Sequence, residues 1–424
     1  MTKVELKTGE IFAGAGGLGL GFILAEHPII KFQPLFAIDN DANSVSSYKH
    51  NMNWLHQNAS SVLPQKPGVF NRDVEQLKIP SVLRWAKLEA GELDLLIGGP
   101  PCQGFSSSNK TSKADNKTDR NRLTKVFFDK VNDFQPKMFL IENVQGLRWT
   151  KPTDDMAFSN AQESMFPEYA SHPPTNVREF LIQKATALGY QIWHGILDAV
   201  NFGVPQHRLR FFLFGVRQDL LTKPNSISLI SYLNKLMITD HVSVSKAIGD
   251  LPEVGNGQSW NDDGYHPSEE EYVQKMRNFM VNGDLYDHFT TKHADYVIER
   301  YKKIPEGQNW KSIRNEMTNY KTVENTHSNI YRRLKRDEPA NTISHYRKSM
   351  LIHPTQHRGL SFREACRLQS FPDWFRFMGT SNQQQQQLAN AVPPLMASKV
   401  AYSIAECWLN IQSEEIREIS PTSC

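Results

Sequence analysis

Leu93-Asp94-Leu95-Leu96-Ile97, followed by Gly98-Gly99-Pro100-Pro101-Cys102-Gln103, constrains the fold of this chain more than any other segment. A short apolar run cut off by a Gly/Pro break reads as a buried strand. The two prolines fix φ and give up two backbone donors, so a ladder cannot continue through them. A cysteine held just behind them has a fixed backbone and an exposed side chain. Open α/β sheets keep their chemistry there, outside the carboxyl ends of the strands. A free cysteine met at random is more often a buried apolar residue, so the segment takes its meaning from the rest of the chain.

Near the N-terminus, Glu10-Ile11-Phe12-Ala13-Gly14-Ala15-Gly16-Gly17-Leu18-Gly19 carries G-x-G-x-x-G at Gly14, Gly16 and Gly19. A strand should lead in and a helix should leave through Leu20 to Ala25. Glycines there allow positive φ and close approach of a ligand to the backbone. A second apolar strand, Pro34-Leu35-Phe36-Ala37-Ile38, ends in Asp39-Asn40-Asp41. An acid about 20 residues beyond such glycines can take the ribose hydroxyls of a nucleoside cofactor. The pattern serves a nicotinamide dinucleotide as well as S-adenosylmethionine. Asp73, followed by Val74, can accept from an adenine amino group; without its neighbours it would read as a loop acid or helix cap.

Two more strand patterns bear polar residues. Phe139-Leu140-Ile141 runs into Glu142-Asn143-Val144, and Gln206-His207-Arg208-Leu209-Arg210 leads into Phe211-Phe212-Leu213-Phe214. Side chains alternate along an extended segment, so Gln206, Arg208 and Arg210 share one face.

Taken in order, these motifs resemble the DNA (cytosine-5) methyltransferase family. The resemblance continues through Tyr331-Arg332-Arg333-Leu334, Pro339-Ala340-Asn341-Thr342-Ile343, Arg363-Glu364-Ala365-Cys366-Arg367-Leu368-Gln369-Ser370-Phe371-Pro372-Asp373 and Asn390-Ala391-Val392-Pro393-Pro394. It implies a Rossmann-like S-adenosylmethionine-dependent methyltransferase fold: α/β, a mixed and mostly parallel sheet, with a smaller target-recognition domain. By this resemblance Phe12, Gly14, Gly16, Gly17, Leu18, Asp39, Asn40, Asp73, Val74, Pro101, Leu123, Asn390 and Val392 line the cofactor site. The chain departs from the family at Asp39, where Glu is usual, and at Asn40, where a large side chain often stacks on adenine. The acid ahead of the cofactor loop is Glu10, one residue further from it than is common.

The resemblance also implies a covalent route. The Cys102 thiolate attacks C6 of cytosine, and C5 takes the methyl group. Loss of the C5 proton and expulsion of the cysteine follow. A thiol with a pKa of about 8.5 is mostly protonated at neutral pH, and Arg208 and Arg210 are the cations expected to help it. Glu142 should bond the Watson–Crick edge, Arg208 or Arg210 should hold O2, with Arg210 favoured by its place in the motif, and Asn143 should orient the cysteine loop. No residue identifies itself as the base for the C5 proton; water is a candidate. The target base must leave the duplex to be reached. Residues 103–125 hold six Lys/Arg against two acids. They read as a loop closing on DNA, with Gln103, Ser106, Ser108 and Arg120, joined by Gln206, at the nucleic acid.

Organisation follows the motifs. Residues 1–217 alternate strand and helix patterns and should form the catalytic, cofactor-binding domain. Residues 218–330 lack the motifs and should recognise the target, and residues 331–424 should return to complete the catalytic domain. Ser361 and Glu364 have capping-box spacing at the head of a helix running to Leu368. Gln383 to Gln387 reads as a helix surface, and a last helix should span Leu395 to Asn410, packed on the first domain. Net charge is only +3, yet residues 300–367 hold 15 Lys/Arg against 6 Asp/Glu, a stripe suited to a phosphate backbone. The four cysteines are scattered without metal-ligand spacing, and the 14 histidines do not cluster, so neither disulfides nor a metal are expected. No signal peptide opens the chain and no apolar run approaches the roughly 18 residues of a membrane span. A monomer in the cytoplasm of a prokaryote is expected, acting on double-stranded DNA beside a cognate restriction nuclease or other defence-system proteins.

Two rival readings are weighed. A tRNA cytosine-5 methyltransferase shares the fold, but the Cys-Phe-Thr triplet usual in that branch is missing. A nicotinamide-dependent oxidoreductase accounts for the glycines and Asp39 but leaves Pro-Pro-Cys-Gln and Gln-x-Arg-x-Arg without a purpose.

Overall fold

The computed structural model describes residues 3–101, 122–144, 177–222, 229–261, 265–280, 283–318 and 330–419. The apolar runs become β1 (Val4–Ile11), β2 (Ile30–Asp39), β3 (Gly68–Asn71), β4 (Leu95–Gly98), β5 (Met138–Val144), β6 (Tyr190–Asp198) and β7 (Leu209–Arg217). They form one seven-stranded sheet of order β3-β2-β1-β4-β5-β7-β6. The ladders β1–β2, β1–β4, β2–β3 and β4–β5 are parallel, whereas β7 runs antiparallel to both β5 and β6. The expected mixed, mostly parallel α/β sheet is therefore present.

Between the strands lie α1 (Gly17–Ile23), α2 (Ala42–Asn58), α3 (Ile79–Ala86), α4 (Arg122–Phe134) and α5 (Val177–Ala187). Beyond the sheet come α6 (Leu229–Leu236), α7 (Val244–Ile248), α8 (Glu271–Met276), α9 (Asp295–Lys303), α10 (Tyr346–Ser349), α11 (Phe362–Leu368), α12 (Ser381–Asn390) and α13 (Pro394–Ile419).

Alternation along the strands feeds two layers. Leu95, Ile97, Leu140, Phe212 and Phe214 pack with α1, α6 and α13 on one face. Leu96, Phe139, Ile141, Phe211 and Leu213 pack with α3, α4 and α5 on the other. Strands buried on both sides are near-continuous in apolar residues for this reason. A third cluster joins Tyr48 and Met52 of α2 to Val244, Tyr272, Phe362 and Trp374. Val297, Tyr301, Trp310, Ile313, Tyr331 and Ile352 form a smaller cluster of their own. Buried residues within 218–330 thus belong partly to the body and partly to this separate core.

Helix α11 starts as its sequence indicates: the Ser361 hydroxyl accepts from Glu364 N, and the Glu364 carboxylate accepts from Ser361 N, completing the capping box. The glutamine run differs from its expected role. It forms the middle of α12, but Gln385 and Gln387 are buried. Gln387 accepts from Ser47 Oγ and donates to Met378 O, so part of the run is an internal polar seam. The last helix, α13, packs along α1 and brings the end of the described chain back to its beginning.

Candidate active site

Strand order reverses between β1 and β4, and in an open α/β sheet such a switch point opens a crevice at the carboxyl ends. The Gly14–Gly19 loop follows β1 and Gly98-Gly99-Pro100-Pro101 follows β4, so the two segments flank that crevice. β5 ends beside β4, with Ile141 opposite Gly98. Because β7 is antiparallel to β5, its first residues lie at this same edge, with Arg210 opposite Val144 and Phe212 opposite Glu142. Arg210 and Glu142 are therefore diagonal neighbours on one face, within reach of long side chains.

Both are buried, and Arg210 Nε stands 2.8 Å from Glu142 Oε1. The approach is off the N–H axis, so neither atom has an aligned hydrogen-bond partner. Burial pushes the Glu142 carboxyl above its ordinary value, against the pull of Arg210 and Arg208. A side chain at Gly99 would stand 3.1 Å from Glu142 Oε2, so glycine leaves the carboxyl its place. Asn143 Nδ2 donates to Pro100 O at 3.1 Å, and its Oδ1 accepts from Val144 N. That amide bridges the end of β5 to the backbone just ahead of position 102. The arrangement offers a carboxyl able to hold a proton, a guanidinium and a fixed proline turn on one small patch.

Gln206, Arg208 and Arg210 do share a face, and it is the inward one: all three are buried while Leu209 points outward. Two of them sit differently from expectation. Gln206, expected at DNA, is fully buried; its amide donates to Leu368 O and accepts from Ile343 N. Arg208 donates to the carbonyls of Ile343, Ala389 and Ala391. Its guanidinium ties β7 to the segment around Asn390 rather than standing free at the crevice.

At the other side of the crevice, Phe12 and Gly14 both have positive φ, of 54° each. A Cβ on Gly14 would meet nothing within 4 Å, which leaves that point of the loop open to a ligand. Asp39 braces the loop: one carboxylate oxygen accepts from Gly14 N at 2.8 Å, the other from Asp41 N at 2.9 Å. Burial raises its pKa, and those two amides oppose the rise. Gly16 precedes α1, and Gly17 and Leu18 are buried at its start. Asn40 is exposed, Asp73 is half-buried with its carboxylate on Glu75 N, and Val74 is buried. Leu123 is half-buried in the first turn of α4, and Pro101 is exposed. Asn390 is exposed at the end of α12, where its side chain accepts from Gln386, and Val392 is buried with its carbonyl against Gly17. Cys102, Gln103, Ser106, Ser108 and Arg120 lie outside the described residues.

One contributor was not given a role by its sequence: Gly99 is marked only by the doubled glycine ahead of the prolines. Glu10, noted in the sequence as the acid ahead of the cofactor loop, is buried beneath it. Among the described residues no group of acids, histidines and cysteines could hold a metal, and no helix is long and apolar enough to cross a membrane.

Comparison with known proteins finds similar sequences and similar folds. The sequence profile described as C-5 cytosine-specific DNA methylase matches residues 6–406. The chain is 30% identical over 418 residues to the Type II methyltransferase M.DdeI of Desulfomicrobium norvegicum, spanning 95% of this chain and 89% of that one. It is 28% identical to the Type II methyltransferase M.AgeI of Thalassovita gelatinovora, over 94% of this chain and 99% of that one. Among solved structures, an E. coli prophage-encoded protein described as a DNA modification methyltransferase superposes with a TM-score of 0.67. That match is at 23% identity, over 95% of this chain and 99% of that one. The Dnmt2 methyltransferase of S. pombe gives a TM-score of 0.52 at 14% identity, over 96% and 99% of the two chains. At such identities these two likenesses concern the fold.

Proposed function

The chain belongs to the C-5 cytosine-specific DNA methylase family, and from that premise we propose that it methylates C5 of a cytosine flipped out of one short duplex sequence, through a covalent adduct with Cys102. The observation that carries the reading is the buried Glu142–Arg210 pair beside Gly99, at the strand edge where the proline turn ends. A flipped pyrimidine meeting this pair finds a donor for O2 in Arg210. In Glu142 it finds a carboxyl whose raised pKa suits it to give a proton to N3. Protonating N3 draws electron density from the ring and opens C6 to the thiolate. The S–C6 bond would then form, C5 would take the methyl carbon as that carbon's bond to the donor sulfonium breaks and leaves a neutral thioether, water would take the C5 proton, and the S–C6 bond would break with the double bond restored as N3 returns its proton to Glu142.

S-adenosylmethionine, when bound, supplies the methyl group. The residues that would hold it fit a nucleoside: the open, left-handed Gly14, the braced Asp39, and Asp73 with buried Val74. Asn143 keeps the Pro100 carbonyl fixed and so presets the turn that carries Cys102. The relatives' designation as Type II methyltransferases supports a restriction–modification role in a prokaryotic cytoplasm, with a cognate nuclease as partner. Residues 218–330 are proposed to read the target; part of them forms a separate small core around Tyr301, shared with Tyr331 and Ile352.

The test is base-resolution bisulfite sequencing of unmethylated plasmid incubated with the protein and S-adenosylmethionine. The expected result is 5-methylcytosine confined to one motif. Absence of methylation by folded, cofactor-bound protein would overturn the reading, and a tRNA substrate is the control to run beside it. Cys102→Ala should abolish transfer while DNA and cofactor still bind.

A further inference from the structure

The glycine loop is gripped from beneath by two buried side chains that the reaction does not use. Glu10 sits near the end of β1 with 3% exposure. Its Oε1 accepts from Gly19 N at 3.2 Å, and its Oε2 accepts from Tyr48 Oη at 2.8 Å. Tyr48, on α2, is itself fully enclosed. The glycines are fitted to this pair. A Cβ on Gly16 would stand 2.7 Å from the Tyr48 ring, and one on Gly19 would overlap Glu10 Oε2 and stand 2.7 Å from Tyr48 Oη. Gly14 alone of the three G-x-G-x-x-G positions faces open space. The loop is thus held at its first glycine by Asp39 and at its last by Glu10. Helix α2 links the two grips, since it carries Tyr48 and is capped by Asp41, two residues after Asp39.

We propose that Glu10 and Tyr48 are a positioning pair that sets how the Gly14–Gly16 loop enters the first turn of α1 and thereby governs affinity for the methyl donor. This rests on the reading that the loop holds S-adenosylmethionine. Neither side chain reaches the crevice, so neither is a catalytic residue. Burial also favours the uncharged carboxyl at position 10, for which an amide is a close substitute: its oxygen can accept from Gly19 N and its nitrogen can donate to Tyr48 Oη.

The experiment is calorimetric titration of full-length wild type, Y48F, E10A and E10Q with S-adenosylmethionine. Turnover at saturating donor and affinity for substrate DNA are measured on the same proteins. Y48F and E10A should weaken donor binding about tenfold, the scale of one buried hydrogen bond. Turnover at saturation and DNA affinity should stay within about twofold, and E10Q should bind the donor like wild type. Should E10A fail to fold, Y48F and E10Q carry the test. Donor affinity unchanged in Y48F would overturn the proposal. So would donor affinity, turnover and DNA affinity falling together by one factor, which marks general damage. Folded wild type that binds no S-adenosylmethionine would overturn the donor reading itself, a result distinct from any variant effect.

Discussion

At Glu10, burial lifts the carboxyl pKa to about 8. In the unfolded chain the same group ionises near its ordinary value of 4.5. Between those values the folded state holds a proton that the unfolded state has released, so stability falls as pH rises. The contribution is complete below the unfolded value and gone once the pH passes the folded one. E10Q lacks this proton, so its stability relative to wild type should grow by about 1.4 kcal/mol per pH unit across that window. Denaturant titrations at several pH values between 5 and 8 check the slope; parallel curves would refute it. Glu142→Gln probes the crevice instead. If Glu142 supplies the proton to N3, single-turnover methylation should slow by about 10²–10⁴-fold, with DNA affinity nearly unchanged. At this scale the sequence made Glu142, Arg208 and Arg210 conspicuous, because acids and arginines beside apolar strand runs are costly, and the structure buries all three. The sequence did not separate Arg208 from Arg210. Both point inward by alternation, and only the carbonyls of Ile343, Ala389 and Ala391 tell the clamp, Arg208, from the arginine paired with Glu142.

Elements built on local rules were the most legible. The capping box of α11 follows from two residues three apart, and the structure adds a buried partner: Arg358 donates to both Glu364 oxygens. That pairing holds the Glu364 carboxyl down to about 2 despite the opposing effect of burial. Its contribution is present above the unfolded value and is lost as pH falls through the folded one. E364A should cost about 3–5 kcal/mol at neutral pH, because Arg358 is left buried without its partner. In urea titrations the gap between wild type and E364Q should narrow as the pH drops below about 4.5, the unfolded value. Helix α12 shows where local reading stopped. A run of five glutamines carries no polarity pattern, so nothing in it marks Gln385 and Gln387 as the buried members. Ser47, which donates to Gln387, comes from a distant part of the chain.

For the molecule as a whole, the strand runs and their mostly parallel arrangement could be anticipated. The antiparallel entry of β7 could not, since an apolar strand reads alike in either direction. That reversal brings Arg210 to Glu142. A last helix packed on the first domain was expected; that it lies along α1 is the structure's addition, and it has a measurable consequence. Met396, Val400, Ile404, Trp408 and Ile411 are all buried in the layer beneath α1. At about 1.5–3 kcal/mol for each side chain, they rival the roughly 5–15 kcal/mol that stabilises a typical domain. A chain ending at Pro393 should therefore lose cooperative thermal unfolding, as circular dichroism would show. The smaller core around Tyr301 and Trp310 should open first. Amides of Asp295–Lys303 are expected to exchange at lower protection than those of β4 and β5, by hydrogen-exchange mass spectrometry.

The fit of Gly19 against Glu10 also carries a rule of inheritance. The two positions share one volume, so a descendant gene cannot enlarge residue 19 while keeping a full-length glutamate at residue 10. Across related genes the two sites should drift as a linked pair. Lineages that admit a side chain at 19 should carry a shorter residue at 10, while the codon for Gly14, whose φ of 54° favours glycine, should stay fixed in both.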